Sequence, residues 1–393
     1  MKIINDLSNK NSKATTIKLK DNTNNTIDDP LSVAESFNLF FREAACKTVK
    51  HLPKSCNFNK MLYCTNNLFL QPVTEKEVSE VIQNKVSNKM SAGPDEIPNF
   101  FLKKVLVAVV KPLVFLINLS FSNGHFPSKL KLSKIIPIHK KNDKDRIDNY
   151  RPIALTSVFS KIFEYCFILR LDAFINKYEL LSENQFGFRA NRSTSLALHK
   201  FYEEVIECLE RSECPAGIFC DLSRAFDCVN HDLLLNKIYD YGVRGIPHRW
   251  ISSFLRGRLQ YVSIPHTDDF GNKGSIHSGT INIDLGVPQG SILGPILFIM
   301  YINDLEHSLD TNSNATIYAD DTSLIISGSN NIILEDRCNT NMRQLQKWFD
   351  KNSLYLNNNK TNYLRLHCYQ NRSNLDLGIG ENGSQIARAT SVR

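Results

Sequence analysis

The chain has 393 residues, 42% hydrophobic and 22% charged, which excludes a disordered or fibrous protein and allows two or three structural units around a large core. Its net charge of +7 permits a polyanionic partner without requiring one. Ten cysteines show no C-x-x-C pairing and several sit in apolar runs, as at Phe219-Cys220, which argues for free thiols of a reduced compartment and against a zinc site.

The start, Met1-Lys2-Ile3-Ile4-Asn5-Asp6, has no apolar core of signal-peptide length. The run Val105 to Ile117, broken by Lys111-Pro112, falls short of the about 18 residues a membrane span needs. A soluble, intracellular chain with no membrane partner is expected.

Residues 1–30 are Asn-rich and polar and read as a linker. Ser32-Val33-Ala34-Glu35 matches a capping box, and Phe37, Phe40, Phe41, Ala44 and Ala45 follow at helical spacing, predicting a helix from 31 to 50. Residues 51–70 show no clear period. Thr74-Glu75-Lys76-Glu77 is a second capping box, opening a helix to Lys89 with Val78, Val81 and Ile82 on one face. A Gly93-Pro94 turn and an apolar helix over 99–121 follow, closed by Asn123-Gly124.

The strand Ile135–Ile138 and its partner Tyr150–Ile153 flank a basic tip, His139 to Arg146, readable as a solvated loop or as a positively charged flap that closes on phosphates. Helices are predicted from Ser157 to Tyr178 and from Ser193-Thr194 to Arg211, then a buried strand, Ala216 to Cys220, running into Asp221. Residues 241–279 predict a helix and a strand pair. Gly286-Val287-Pro288-Gln289-Gly290-Ser291 is a compact loop before an apolar helix over 292–305. Ala315 to Ile326 reads as strand, turn and strand with Asp320-Asp321 at the tip. Cys338, Met342, Leu345 and Phe349 mark a helix, Asn357 to Lys360 a turn, and Tyr363 to Leu366 a strand. The stretch 371–393 is polar and shows no closing element.

Adjacent Asp320 and Asp321 alone also read as an ordinary turn, since Asp favours turns. Like charges so close raise each other's pKa unless a cation lies between them. Asp221 supplies a third carboxylate at a strand end, and antiparallel neighbours in one sheet would bring all three together. Such a set can hold two divalent ions about 4 Å apart, the arrangement for in-line phosphoryl transfer. Magnesium fits best, because it is typically bound by one or two carboxylates plus substrate phosphates, with Mn²⁺ as a substitute. The Gln289-Gly290 loop suits close approach of a flat substrate, or is a plain helix-start turn. Phe226 could fill the space under a bound sugar or pack in the core.

Together, Phe219-Cys220-Asp221-Leu222-Ser223-Arg224-Ala225-Phe226-Asp227, Gly286 to Ser291 with Leu293-Gly294-Pro295, and Tyr318-Ala319-Asp320-Asp321 resemble the three central motifs of reverse transcriptases, in the family's order and spacing. Tyr150-Arg151-Pro152-Ile153, Gln185-Phe186-Gly187-Phe188-Arg189 with Ser193-Thr194, and Ala92-Gly93-Pro94-Asp95 narrow the resemblance to the non-LTR, LINE-type branch, with jockey-like elements most similar.

The resemblance implies an α+β right-hand polymerase fold, with fingers over 71–215 and a palm over 216–370. It also implies an antiparallel palm sheet with helices on one face, and an N-terminal helical extension over 31–70. It implies Asp221, Asp320 and Asp321 as catalytic metal ligands and Phe226 as the gate against a 2′-hydroxyl. Gln289 and Gly290 would contact template and incoming nucleotide, and Lys140 or Lys141 with Arg151 would bind the triphosphate. Lys360 would correspond to the residue that protonates pyrophosphate.

RNA template, DNA primer and dNTPs are the implied partners, in a cytoplasmic ribonucleoprotein or the nucleus. Arg224 stands where the branch usually has Lys, keeping the charge. The family's primer grip and thumb are expected to be absent after 371–393, as is the accompanying endonuclease, so a truncated element is expected. The alternative is a catalytically weak or idle relic that only binds nucleic acid.

Overall fold

The computed structural model describes residues 17–20, 24–50, 64–268, 271–310, 313–367, 377–381 and 384–389. Much of the expected linker 1–30, part of 51–70, part of 371–393, and Cys56 and Cys368 lie outside the described residues.

The strand pair β1 (Leu19–Lys20) and β2 (Thr26–Ile27) leads into α1 (Pro30–Lys50), which buries Val33, Phe37 and Phe41 as the aromatic spacing predicts. Its cap is Asp29 rather than Ser32: Asp29 Oδ2 accepts the Ser32 N–H at 2.8 Å. The reason is Pro30, whose fixed φ and missing N–H suit the first turn and move the helix start forward. The second capping box forms as predicted, Thr74 Oγ1 accepting the Glu77 N–H at 3.2 Å. The helix it opens, α2 (Glu75–Glu80), continues only as a π-helical turn to Lys85.

The predicted helix 99–121 is split at Val105 into α3 (Asn99–Lys104) and α4 (Leu106–Asn123), and Gly124 at φ +61° closes it. Pro112 does not end α4, so the expectation of too short an apolar run is corrected. This 18-residue helix is, by length and composition, apolar enough to cross a membrane. Val110, Leu113, Ile117 and Phe121 bury one face of it, while Val107, Phe115, Leu116 and Leu119 are exposed.

Next come β3 (Leu132–His139), β4 (Tyr150–Thr156), α5 (Val158–Lys177), α6 (Thr194–Glu210) and β5 (Cys214–Cys220). The four-residue α7 (Ala225–Cys228), α8 (His231–Asp240) and α9 (Ile246–Leu255) follow, then β6 (Arg258–Thr267), β7 (Lys273–His277) and β8 (Ile281–Ile283). The chain continues with α10 (Leu293–Ile302), β9 (Ser313–Tyr318), β10 (Asp321–Gly328), α11 (Asn331–Lys351) and β11 (Asn362–Arg365). Three two-residue strands, β12 (Gly380–Glu381), β13 (Ser384–Gln385) and β14 (Ala387–Arg388), come last among the described residues.

These strands build two main sheets, an α+β arrangement. One runs β4-β3-β6-β7 with β8 on β6; β3 is antiparallel to β4, with Ile136 opposite Ile153, and parallel to β6. The other runs β14-β11-β5-β10-β9 and is antiparallel except for the β11–β14 pair.

Helices cover both faces of the second sheet, not one. Leu324 and Ile326 face the main core with Leu345 and Phe349 of α11, whereas Ile325 between them packs with Val205 and Cys208 of α6. The strand period of 2 forces this, because every residue of β10 from Leu324 to Ile326 is apolar and buried, so both faces need a cover.

The described residues of 371–393 also depart from expectation. Leu377, Ile379 and Ile386 are buried, β12 pairs with β13, and β14 extends the sheet through β11. Isolated apolar residues in a polar stretch carry no period from which to predict a strand. An aromatic hub, Trp250 with Phe121, Phe126, Phe167 and Phe254, joins α4, α5 and α9; Phe167 stacks on Trp250 at 4.3 Å.

Candidate active site

Register brings the acidic residues together. Thr322 of β10 lies opposite Cys220 of β5, so Asp221, one residue on, and Asp321, one residue back, leave the same end of the pair. Asp320 sits in the turn joining β9 to β10, with Tyr318 opposite Asp321 in the ladder. Asp221 is anchored by a neighbouring segment: its carbonyl accepts the Asn357 N–H at 2.8 Å, and Ser223 N donates to the Tyr355 carbonyl at 2.9 Å. That docking brings the Asn357–Thr361 turn over the strand end and puts Lys360 Nζ 2.9 Å from Asp221 Oδ2.

Asp221 and Asp320 line one cleft of about 580 Å³ with Lys140, Arg151, Phe188, Arg224, Phe226, Asp227, Gln289, Gly290 and Lys360. Asp321 and Lys141 are not among its lining residues, though the charge of Asp321 acts on the same cluster as Asp320 and Asp221. Asp321 is the first residue of β10 and is more open to solvent than Asp320 in the turn before it. Lys140 and Lys141 are both exposed at the hairpin tip, and of the two only Lys140 lines the cleft.

Burial raises the pKa of Asp320, the Asp221 charge raises it further, and Arg151 opposes both. Burial likewise raises Asp321, reinforced by the charges of Asp320 and Asp221. Lys140 is lowered, chiefly by desolvation and then by Arg151 and Lys360. The cleft thus sets a cationic wall against a cluster of repelling carboxylates.

Among the described residues, no group of three or more His, Cys, Asp or Glu side chains is gathered to hold a metal ion unaided. Asp221 and Asp320 are hard oxygen donors whose mutual repulsion a divalent cation would relieve. This donor set fits an ion that takes its remaining ligands from water and substrate phosphate.

Phe226 stacks on Phe298 at 4.2 Å and meets Phe188 edge-on at 6.1 Å, so it both packs and lines the cleft. Gln289 Nε2 donates to Asp227 Oδ1 at 2.7 Å, tying the loop before α10 to the segment after β5. Gly290 is at φ +122°, and a Cβ there would lie 2.3 Å from the Ala154 carbonyl oxygen. Close approach to β4 therefore requires this glycine, in addition to any approach by a substrate.

Sequence reasoning missed Asp227, Phe188, Glu164 and Gln185. Glu164 is fully buried on α5, and its Oε2 accepts the N–H groups of Ile292 and Leu293 at 2.7 and 3.0 Å, capping α10 behind the loop. A Glu in an apolar helix is the only sequence signal for it. Arg224, at φ +52°, places its guanidinium 5.1 Å from the Phe40 ring of α1.

A sheet-end carboxylate pair facing a basic and aromatic wall is an arrangement compatible with phosphoryl transfer. The family described as reverse transcriptase (RNA-dependent DNA polymerase) matches residues 138–380. The chain is 30% identical over 331 residues to the RNA-directed DNA polymerase from mobile element jockey of Drosophila melanogaster, covering 81% of this chain and 34% of that protein. It is 29% identical to the probable RNA-directed DNA polymerase from transposon BS of the same species, covering 72% and 30%. The probable RNA-directed DNA polymerase from transposon X-element, also of that species, is 32% identical, covering 64% and 27%. The chain belongs to the reverse transcriptase family, in its non-LTR retrotransposon branch. It spans about a third of the length of the curated relatives it matches.

Proposed function

We propose that the chain carries out RNA-templated DNA synthesis, with attack of a primer 3′-hydroxyl on the α-phosphate of a dNTP and release of pyrophosphate. The observation that carries this reading is the convergence of Asp221 and Asp320, about 100 residues apart in sequence, in one cleft with Arg151, Phe226 and Gln289. Family membership supports it. The sheet holding β5, β9 and β10 acts as the palm, and the β3–β4 sheet as the fingers.

Two magnesium ions, replaceable by manganese, would supply activation of the attacking hydroxyl and charge balance at phosphorus. Asp221, Asp320 and Asp321 would hold them. Lys140 and Arg151 bind the triphosphate from the fingers side, Arg151 being the electrostatic counterpart of Asp320. Phe226, backed by Phe298, forms the floor under the sugar and excludes a 2′-hydroxyl. Gln289, held by Asp227, and Gly290 face the templating and incoming nucleotides. Lys360 donates a proton to the leaving pyrophosphate.

A template RNA and dNTPs imply work in a cytoplasmic ribonucleoprotein or the nucleus, with an endonuclease elsewhere in the element. Primer extension on an RNA template, wild type against Asp320→Ala, tests the reading. Extension by wild type and none by the variant is expected. Equal extension would remove Asp320 from the mechanism, and salt-sensitive RNA binding without incorporation would leave only a nucleic-acid-binding protein.

A further inference from the structure

Gln185 is buried, with 1% of its surface exposed, yet it lies outside the cleft lining. Its Oε1 accepts two backbone N–H groups: Gly187 at 2.7 Å and Ala319 at 3.1 Å. Ala319 is the residue immediately before Asp320, and its backbone is left-handed at φ +56°. A non-glycine residue holds that conformation only where its surroundings over-determine it.

Those surroundings are visible. Ile317 N donates to the Asn184 carbonyl at 2.9 Å, and Phe186 N donates to the Ile317 carbonyl at 2.8 Å, so the Gln185 segment runs beside β9 as an extra parallel bridge. Gly187 then crosses so close that a Cβ on it would lie 2.4 Å from Ala319 N. Among the described residues, Gln185 Nε2 has no hydrogen-bond partner. A buried amide with one end unpaired carries a desolvation cost that an apolar side chain of equal size avoids. What the apolar side chain could not do is accept the Ala319 N–H.

We infer that Gln185 is a positioning residue: by holding Ala319 left-handed, it sets the Asp320 and Asp321 carboxylates relative to Asp221 across the β5–β10 pair. The inference rests on the polymerase reading for its catalytic consequence, but the placement of the carboxylates can be measured without catalysis.

The test uses Gln185→Met, near in volume and lacking the acceptor, alone and combined with Ala319→Gly. Binding of Mn²⁺ to the protein is titrated by electron paramagnetic resonance, and RNA-templated primer extension is measured beside it. Gln185→Met is expected to weaken Mn²⁺ binding by about tenfold and to lower kcat by about ten- to a hundredfold, with the KM for dNTP within about twofold. Adding Ala319→Gly is expected to return both to within about threefold of wild type, because glycine enters the left-handed region without a Cβ penalty.

Unchanged Mn²⁺ binding in Gln185→Met, or a loss that Ala319→Gly does not restore, overturns the inference and makes Gln185 a packing residue. If Gln185→Met does not fold, Gln185→Glu, which keeps the acceptor, must bind Mn²⁺ as well as wild type does; weaker binding overturns it. A wild type that binds Mn²⁺ but extends no primer removes the polymerase reading, while the Mn²⁺ titrations still decide the role of Gln185. A wild type that does neither overturns both.

Discussion

Lys360 and Asp221 form an ion pair across the mouth of the cleft, Nζ to Oδ2 at 2.9 Å. The pair joins a turn after α11 to the residue that ends β5, and both side chains reach solvent. On the proposed reading, Lys360 both neutralises a carboxylate that would hold a cation and would reach a leaving phosphate.

These two roles separate in Lys360→Met. An exposed ion pair is worth about 0.2–1 kcal/mol, so losing its competition should lower the Mg²⁺ requirement by about 1.5- to 5-fold. Losing a general acid should lower kcat by a factor on the order of 10². Lys360→Arg keeps the charge but is a poor proton donor, so it should retain the wild-type Mg²⁺ requirement and still lose kcat. Steady-state extension over a Mg²⁺ series checks both signs.

Asp320 gives a pH signature. Its folded-state pKa is raised, so between the ordinary carboxylate pKa and the raised value the folded protein binds the extra proton. Stability of the metal-free protein should then fall as pH rises through that window. Asp320→Asn removes the repelling charge and should melt higher than wild type at pH 7 without metal, by a few degrees at most. The difference should vanish at a pH below both pKa values. Thermal melts at several pH values in chelator test this, and a lower melting temperature for the variant at pH 7 would contradict the electrostatics.

Gly290→Ala puts a Cβ onto the Ala154 carbonyl at a positive φ. Either the loop moves off β4, breaking the bond from Ala154 N to the Gln289 carbonyl at 3.0 Å, or the strand shifts. A cost on the order of 2–4 kcal/mol is expected in urea unfolding. Extension should fall as well, because Gln289 moves with the loop.

Phe226→Ala should open the floor of the sugar site while leaving Phe298 beneath it. An apolar surface rejects an added hydroxyl only modestly, so the preference for dNTP over rNTP, as a ratio of kcat/KM, should drop by about 10- to 100-fold. The two substrates compared in single-nucleotide incorporation give the ratio. An unchanged ratio would assign Phe226 to packing alone.

The candidate chemistry was legible because it resides in contiguous motifs. Asp221 follows an apolar strand, Asp320 tops a hairpin whose strands announce themselves by β-branched runs, and the Gln289 loop opens an apolar helix. Less legible were the features whose partners lie far away in sequence. Nothing near Gln185 reveals that it reaches Ala319, and nothing near Glu164 reveals that it caps α10. The two-faced burial of β10 was equally hidden, since a continuous apolar run is compatible with one cover or two.

The amino-acid order alone determined most of the helices and strands, the acidic and aromatic candidates and the family, because periodicity, turn residues and motif spacing are local properties of the chain. Tertiary packing alone decided that Asp221 and Asp320 line one cleft with Lys140 and Arg151, and that Lys360 touches Asp221. Those outcomes depend on strand register and on which way a side chain leaves the backbone. One position along a strand reverses that direction, and only the neighbouring segment in space determines which position it is.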